Sequence, residues 1–305
     1  MHKAFEVTVL GTSSASPTKY RHPSAQFVRM EGEYFLIDCG EGTQLQLTRM
    51  GLRMHRIRFI LITHLHGDHF FGLPGLITSM GLHGRSDKLT IAGPAALQPL
   101  LESILACGET TLPFEIEYIV CDPNRSEEIL VSPALKVVTV PLKHRIPCTG
   151  YILKENGPEL KLNVAQCEKL KIPVQSYEAI KSGLDYVQDN GTIIPNAELT
   201  LPGNKNRSYA YISDTIYDET VAVAVRDCTV LYHEATFLHE LEARAKETYH
   251  TTALQAGKIA AMAGVSQLLI GHFSARYNDA DELQTEARNV FANTEVAEEG
   301  KTYTV

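Results

Sequence analysis

The sequence predicts a mixed α/β sandwich, on three observations. Strand-length apolar runs recur along the 305 residues, they crowd the first half, and in the second half they alternate with helix-like stretches. In chain order the runs are "FEVTVLG", "YFLID", "FILIT", "KLTIAG", "EIEYIV", "LKVVTV", "SYAYIS", "CTVLYHE" and "QLLIGH". Each is short, apolar and rich in β-branched or aromatic residues, as buried strands are. "GTQLQLTRMG", "AALQPLLESILAC", "TALQAGKIAAMAG" and "ADELQTEARNVFANT" carry the helical spacing of apolar positions. No internal repeat or low-complexity tract interrupts them.

With 44% hydrophobic residues the chain can bury a full core, and its length suits one large domain, 1–305, carrying an insertion. The insertion is placed at 154–207. There the pieces "NVAQCEKLKI" and "SYEAIKSG" are weakly apolar and separated by Gly, Pro and Lys, so the segment is expected to protrude as an arm without a core of its own. A plain surface excursion is the alternative.

No window approaches ~18 uninterrupted apolar residues, and the N-terminus opens on a strand rather than a signal-peptide core; a soluble, cytoplasmic protein without membrane association is expected. Cys39, Cys107, Cys121, Cys148, Cys167 and Cys228 form no CxxC pair, which argues against a disulfide framework or a zinc ribbon. A net charge of −8 excludes indiscriminate binding of polyanions. The charge is uneven: residues 1–60 carry +3, residues 143–207 carry +2 and residues 279–299 carry −6. That leaves room for a mildly basic face.

Chemistry concentrates in "ITHLHGDHFFGLPGL", residues 62–76. An apolar strand runs straight into His64, His66, Asp68 and His69, and a Gly-Pro-Gly-spaced loop then leads into a helix, so the cluster stands at a strand's C-terminal edge. Side chains at i and i+2 share a side of an extended backbone, which lets His64 and His66 converge on one ion while Asp68 and His69 serve a second. Imidazole and carboxylate suit zinc, and two ions ~3.5–4 Å apart form a clamp for displacement at phosphorus or acyl carbon. Two ions need more donors than four. His144, Asp214 and His272, each ending a later apolar run, are the candidates.

The motif "THLHGDH" resembles the HxHxDH signature of the metallo-β-lactamase fold. Together with "LGTSSASPTKYR", "LIDCGEGTQLQL", "LKHRIPCTGY", "ISDT", "HEATF", "YHTT" and "GHFSARY", in family order from residue 10 to residue 277, the chain resembles the short-form ribonuclease Z family of tRNA 3′-processing endonucleases. The resemblance implies an αββα sandwich with an inserted flexible arm. It implies a zinc-dependent endoribonuclease that removes the 3′ trailer from precursor tRNA, leaving a 3′-hydroxyl on the tRNA and a 5′-phosphate on the trailer.

Two Zn²⁺ per subunit are implied, with Mn²⁺ or another divalent ion able to substitute, and no organic cofactor. His64, His66 and His144 would hold one ion, Asp68, His69 and His272 the other, and Asp214 would bridge them. A hydroxide held between the ions would attack phosphorus, with Asp68 accepting the water's proton. His250 in "YHTT" would protonate the leaving 3′ oxygen and Glu234 in "HEAT" would fix its tautomer, a division that general acid catalysis requires on physical grounds as well. A buried Glu234 needs a partner, since an unpaired buried carboxylate is costly. His233 is assigned a structural role, and Thr251 or Thr252 is expected to cap the following helix.

For RNA binding the resemblance implies the loop "SPTKYRH", through Pro17, Lys19 and Arg21, with His22 where the family has Asn. It also implies the arm, where Lys169, Lys171, Lys181, Lys205 and Arg207 are available to phosphate, and Arg276 in "SARY" behind His272. A homodimer is implied, one subunit's arm serving the other's active site. The alternative function is another hydrolase of this fold acting on a small phosphodiester or thioester. A metal-holding scaffold would be expected to lose ligands, and a di-iron redox use needs a flavin-bearing domain that this length does not supply.

Overall fold

Alternation of side chains, period two, decides which layer each strand residue enters. In the first strand, β1 (Phe5–Gly11), the side chains of Phe5, Val7 and Val9 face one apolar cluster and Leu10 faces another. β2 (Ala25–Met30) and β3 (Glu33–Ile37) repeat the division, with Val28, Met30, Phe35 and Ile37 on the first side and Phe27 and Leu36 on the second. β4 (Phe59–Leu61), β5 (Leu89–Gly93) and β6 (Ile116–Val120) extend this sheet in parallel.

The chain then starts a second sheet with β7 (Glu128–Val131), β8 (Leu135–Leu142) and β9 (Cys148–Glu155). Four two-residue strands follow in the excursion: β10 (Lys161–Leu162), β11 (Tyr186–Val187), β12 (Ile193–Ile194) and β13 (Thr200–Leu201). The second sheet resumes as β14 (Ser208–Ile212), β15 (Val230–Glu234), β16 (Gln267–Gly271) and β17 (Thr294–Val296), and β18 (Thr302–Thr304) returns to pair with β1.

The computed structural model describes residues 4–156, 160–203 and 206–305. Its two seven-stranded sheets have the orders β18-β1-β2-β3-β4-β5-β6 and β17-β16-β15-β14-β9-β8-β7. The first sheet runs from antiparallel hairpins into parallel strands, and in the second β14 to β17 are likewise parallel. One apolar cluster contains inward residues of both sheets, among them Tyr151, Tyr209, Tyr211 and Tyr232; the other face of each sheet is covered by helices, such as Leu73–Leu82 on the first and Ala253–Ala263 on the second. The architecture is the αββα sandwich of an α/β protein. No helix among the described residues is long and apolar enough to cross a membrane.

The chain divides into two compact units, one comprising the residues up to Lys154 with Arg207–Val305, the other Glu155–Asn206. The second unit corrects one expectation. It has a core of its own, in which Cys167, Ile172, Ile180, Ile194 and Leu199 are buried. These residues lie too far apart in sequence to register as an apolar run, and short helices bring them together. Strands β2, β7, β9 to β13, β17 and β18 lie outside the predicted runs, several because they are short or carry a charge.

Thr252 caps the helix Ala253–Ala263 through a complete capping box, its hydroxyl accepting from the Gln255 amide and the Gln255 side chain accepting from the Thr252 amide. Thr252→Ala is expected to lower the unfolding free energy by about 0.5–2 kcal/mol, read as a lower urea midpoint at unchanged slope.

Candidate active site

Strand ends build the site. β4 stops at Leu61, and the chain continues through His64 and His66 into the one-turn helix Gly67–Phe70, which carries Asp68 and His69. His144 stands in the β8–β9 loop, Asp214 two residues beyond β14, Glu234 at the end of β15 and His272 directly after β16. Asp38 (φ 56°) and His272 (φ 59°) leave their strands in the left-handed region, and Ala15 (φ 64°) and Tyr249 (φ 60°), which also touch the site, share it. Such backbone costs on the order of 1–3 kcal/mol per non-glycine residue and collects where surrounding structure enforces it.

The predicted donors meet in two groups. His64, His66, His144 and Asp214 form one and Asp68, His69 and His272 the other, with donor atoms in each group within 4.8 Å of one another. His66 Nδ1 lies 3.0 Å from His64 Nε2 and 3.1 Å from His144 Nε2. Asp214 joins the groups: Oδ1 is 3.2 Å from Nε2 of both His69 and His272, and Oδ2 is 3.8 Å from His64 Nε2 and 3.7 Å from His144 Nε2.

This donor set fits divalent cations. Burial holds His64, His66 and His144 below the usual histidine range, so their nitrogens converge as neutral lone pairs. Burial acts against the charge on Asp68 and Asp214, yet the neighbouring imidazoles hold both well below the carboxylate range. Burial also opposes an imidazolium at His69, but the surrounding Asp214, Asp68 and Asp38 pull it upward. Buried carboxylates held ionised beside the neutral imidazoles of His64, His66 and His144 are the donors that a divalent cation takes, and a cation there would take over the compensating role that the His69 proton plays.

Sequence reasoning missed the residues that aim the donors. Asp38, at the end of "LID", accepts from His69 Nδ1 at 2.8 Å, Thr63 Oγ1 at 3.0 Å and Tyr211 Oη at 3.0 Å. Thr63 Oγ1 is 3.0 Å from His64 Nδ1, and Thr236 Oγ1 is 3.1 Å from His272 Nδ1. The Tyr249 carbonyl accepts from His144 Nδ1 at 3.1 Å, and the Ala15 amide donates to Asp68 Oδ2 at 2.7 Å. Such outer partners fix ring orientation and tautomer. Asp38 is the one with a sequence signal, a carboxylate closing an apolar run.

Beside the donors stands a second constellation. Glu234, wholly buried, accepts from His250 Nδ1 at 3.0 Å, from the Thr215 amide at 2.9 Å and from Thr236 Oγ1 at 2.5 Å, which supplies the partner it needs. Burial lowers the His250 pKa, but the Glu234 charge and hydrogen bond outweigh it and raise the imidazole to about 9. His233 points away and is buried, its Nδ1 2.7 Å from the Glu234 carbonyl oxygen.

The loop after β1 presents Lys19 outward over the Tyr20 ring. Arg21 instead donates to the carbonyls of Tyr277 at 2.8 Å and Asn278 at 3.3 Å, and His22 Nδ1 lies 2.7 Å from Glu299. Arg276 lines the cleft over the donors, stacked 5.0 Å above Phe237 and bonded to Ser274 rather than to a carboxylate. Arg145 and Arg244 line the same cleft and were not predicted. Lys169 and Lys171 are exposed and Lys181 half-buried in the second unit; Arg207 belongs to the first, its guanidinium 5.6 Å from the Phe5 ring, and Lys205 lies outside the described residues.

The family model described as Anti-Pycsar protein Apyc1 matches residues 5–153. Ribonuclease Z of Parabacteroides distasonis is 42% identical over 296 residues, 97% of each chain, and that of Porphyromonas gingivalis 43% identical over 296 residues, again 97% of each. The crystal structure of human tRNase Z, short form, superimposes with a TM-score of 0.71 at 27% identity, covering 98% of both chains. The metallo-β-lactamase fold protein YhfI of Bacillus subtilis shares the fold at TM-score 0.71 and 17% identity, covering 99% of this chain and 100% of that one. Near-complete coverage at this identity, on a sandwich whose strand ends carry both donor groups, means that the chain belongs to the ribonuclease Z family, metal-dependent endoribonucleases on the metallo-β-lactamase fold.

Proposed function

We propose that this protein is a zinc-dependent endoribonuclease that removes the 3′ trailer from precursor tRNA in the cytoplasm, leaving a 3′-hydroxyl on the tRNA and a 5′-phosphate on the trailer. The observation that carries this reading is the paired donor groups joined by Asp214, with the His250–Glu234 pair beside them. His64, His66, His144 and one Asp214 oxygen would hold one Zn²⁺; Asp68, His69, His272 and the other oxygen would hold the second. When bound, such ions supply charge stabilisation at the phosphate and a water of pKa ~7.

The chain's own groups handle the protons. Asp68, ionised and oriented by the Ala15 amide, accepts the proton of the attacking water. His250, protonated at neutral pH beside Glu234, donates to the leaving 3′ oxygen, which is a poor leaving group as an alkoxide. Lys19 and Arg276 contact phosphates near the acceptor end, with Arg21 tying the Lys19 loop to the segment after Arg276 through the carbonyls of Tyr277 and Asn278. Residues 154–207 act as the arm, in which Lys169, Lys171 and Lys181 engage the tRNA away from the cleavage site. The protein works as a homodimer, a reading supported by exposed Leu45, Phe71 and Leu82 in and beside the helices Thr43–Arg49 and Leu73–Leu82.

The test is product mapping. A 3′-extended precursor tRNA incubated with metal-loaded protein is expected to be cut at one site near the acceptor end, with the stated end groups, and a chelator is expected to stop it. Turnover of only a small aryl phosphodiester would favour a small-phosphodiester hydrolase instead.

A further inference from the structure

A second cavity shares its dividing wall with the metal-donor cleft. His66 and Arg145 line the cleft, while their chain neighbours Leu65 and Ile146 line a cavity of about 740 Å³ at the ends of β5 and β6. That volume lies within the roughly 300–1,000 Å³ of small-ligand sites. Its other walls include Ala95, Ala96, Val120 and Pro147. The charged residues on its rim satisfy one another, Arg125 lying 3.3 Å from Asp122 and 3.0 Å from Glu127. The cavity is therefore mostly apolar, adjacent to the reacting centre, and its lining charges are paired with one another.

Arg145 stands at the divide. It is exposed, and among the described residues no carboxylate lies within ion-pairing distance of it, whereas Lys143, in the same loop, is held 2.8 Å from Asp218. A cation without a counter-charge beside an apolar recess complements a nucleotide, whose base is its apolar face and whose phosphate is its charge. The wall carrying His250 contributes nothing to this cavity. With His250 serving the leaving 3′ oxygen of the tRNA, the recess falls to the other product.

We propose that this cavity is a nucleobase subsite for the first trailer nucleotide, with Arg145 on the trailer's phosphate backbone. The proposal rests on the precursor tRNA reading. The polar lining is limited to Cys121, Thr149 and the mutually paired Asp122, Arg125 and Glu127, so the subsite contributes stacking and burial more than sequence choice.

The experiment compares precursor tRNAs with a base-bearing or an abasic first trailer nucleotide, using the metal-loaded protein and its Ala96→Trp and Ala95→Trp variants. Both alanines are exposed, so the substitutions fill the recess from the surface. With the unaltered protein, removing the base is expected to raise KM about tenfold, the scale of losing one buried base. The filling variants should raise KM similarly for the base-bearing substrate and show no further rise with the abasic one. Arg145→Ala should raise KM for both substrates and flatten its salt dependence. Equal KM for the two substrates with the unaltered protein would overturn the subsite while leaving the tRNA reading intact. Penalties that multiply in the filling variants would also overturn it. Failure to cleave either substrate would overturn the parent reading.

Discussion

Asp214→Ala is expected to abolish cleavage and to lose metal from both donor groups at once. The buried carboxylate points one oxygen at His69 and His272, 3.2 Å from each, and the other towards His64 and His144, so it reaches both donor groups. Removing it leaves buried imidazoles around uncompensated space and takes away the charge that would hold two cations side by side. A fall in rate of more than about 1,000-fold is expected, beyond the loss of a single hydrogen-bond donor. Elemental analysis of the purified variant, with circular dichroism to verify folding, checks it. Asp68→Ala should also remove activity, but its metal loss should fall on the group of His69 and His272. A folded Asp214→Ala protein with full metal content would contradict the bridging role.

His250→Ala should behave differently: the metals stay and kcat falls by roughly 10²–10⁴, the range for loss of a general acid, with little change in KM. Geometry makes the distinction worth measuring, because His250 Nδ1 also lies 3.9 Å from Asp214 and could group with it and His272 around an ion. Its stronger tie is the 3.0 Å hydrogen bond to Glu234. Since Glu234 lifts the imidazole to about 9, the acid form is fully present at neutral pH, and the rate should decline as pH rises through about 9. Glu234→Gln removes the raising charge, moving that decline toward the ordinary histidine value of ~6.5. In His250→Ala the alkaline decline should vanish. Loss of metal from His250→Ala equal to that from Asp214→Ala would make His250 a ligand instead.

How much of this was readable from the chain depends on how local each feature is. His64, His66, Asp68 and His69 fall within six positions because one strand end delivers them all. His144, Asp214 and His272 were readable singly, as polar residues ending apolar runs, but their meeting is a property of two sheets whose strands end at one edge. The His250–Glu234 pair came from the motif resemblance; nothing in the spacing of "HEAT" and "YHTT" reports a 3.0 Å contact. Thr63 and Thr236 carry no signal, since hydroxyls hydrogen-bond everywhere. The role of Arg21 is tertiary as well, because its carbonyl partners lie more than 250 residues away. In the fold, β18 escaped for the same reason: it completes a sheet begun at β1, at the other end of the chain.

The division of labour between donor groups and acid is tested most directly by changing the leaving atom. Precursor tRNA in which sulfur replaces the scissile 3′ oxygen departs as a thiolate and needs no proton donor. His250→Ala, crippled on the oxygen substrate, is expected to cleave the sulfur substrate within a few-fold of the unaltered protein. An equally large defect on both substrates would contradict it.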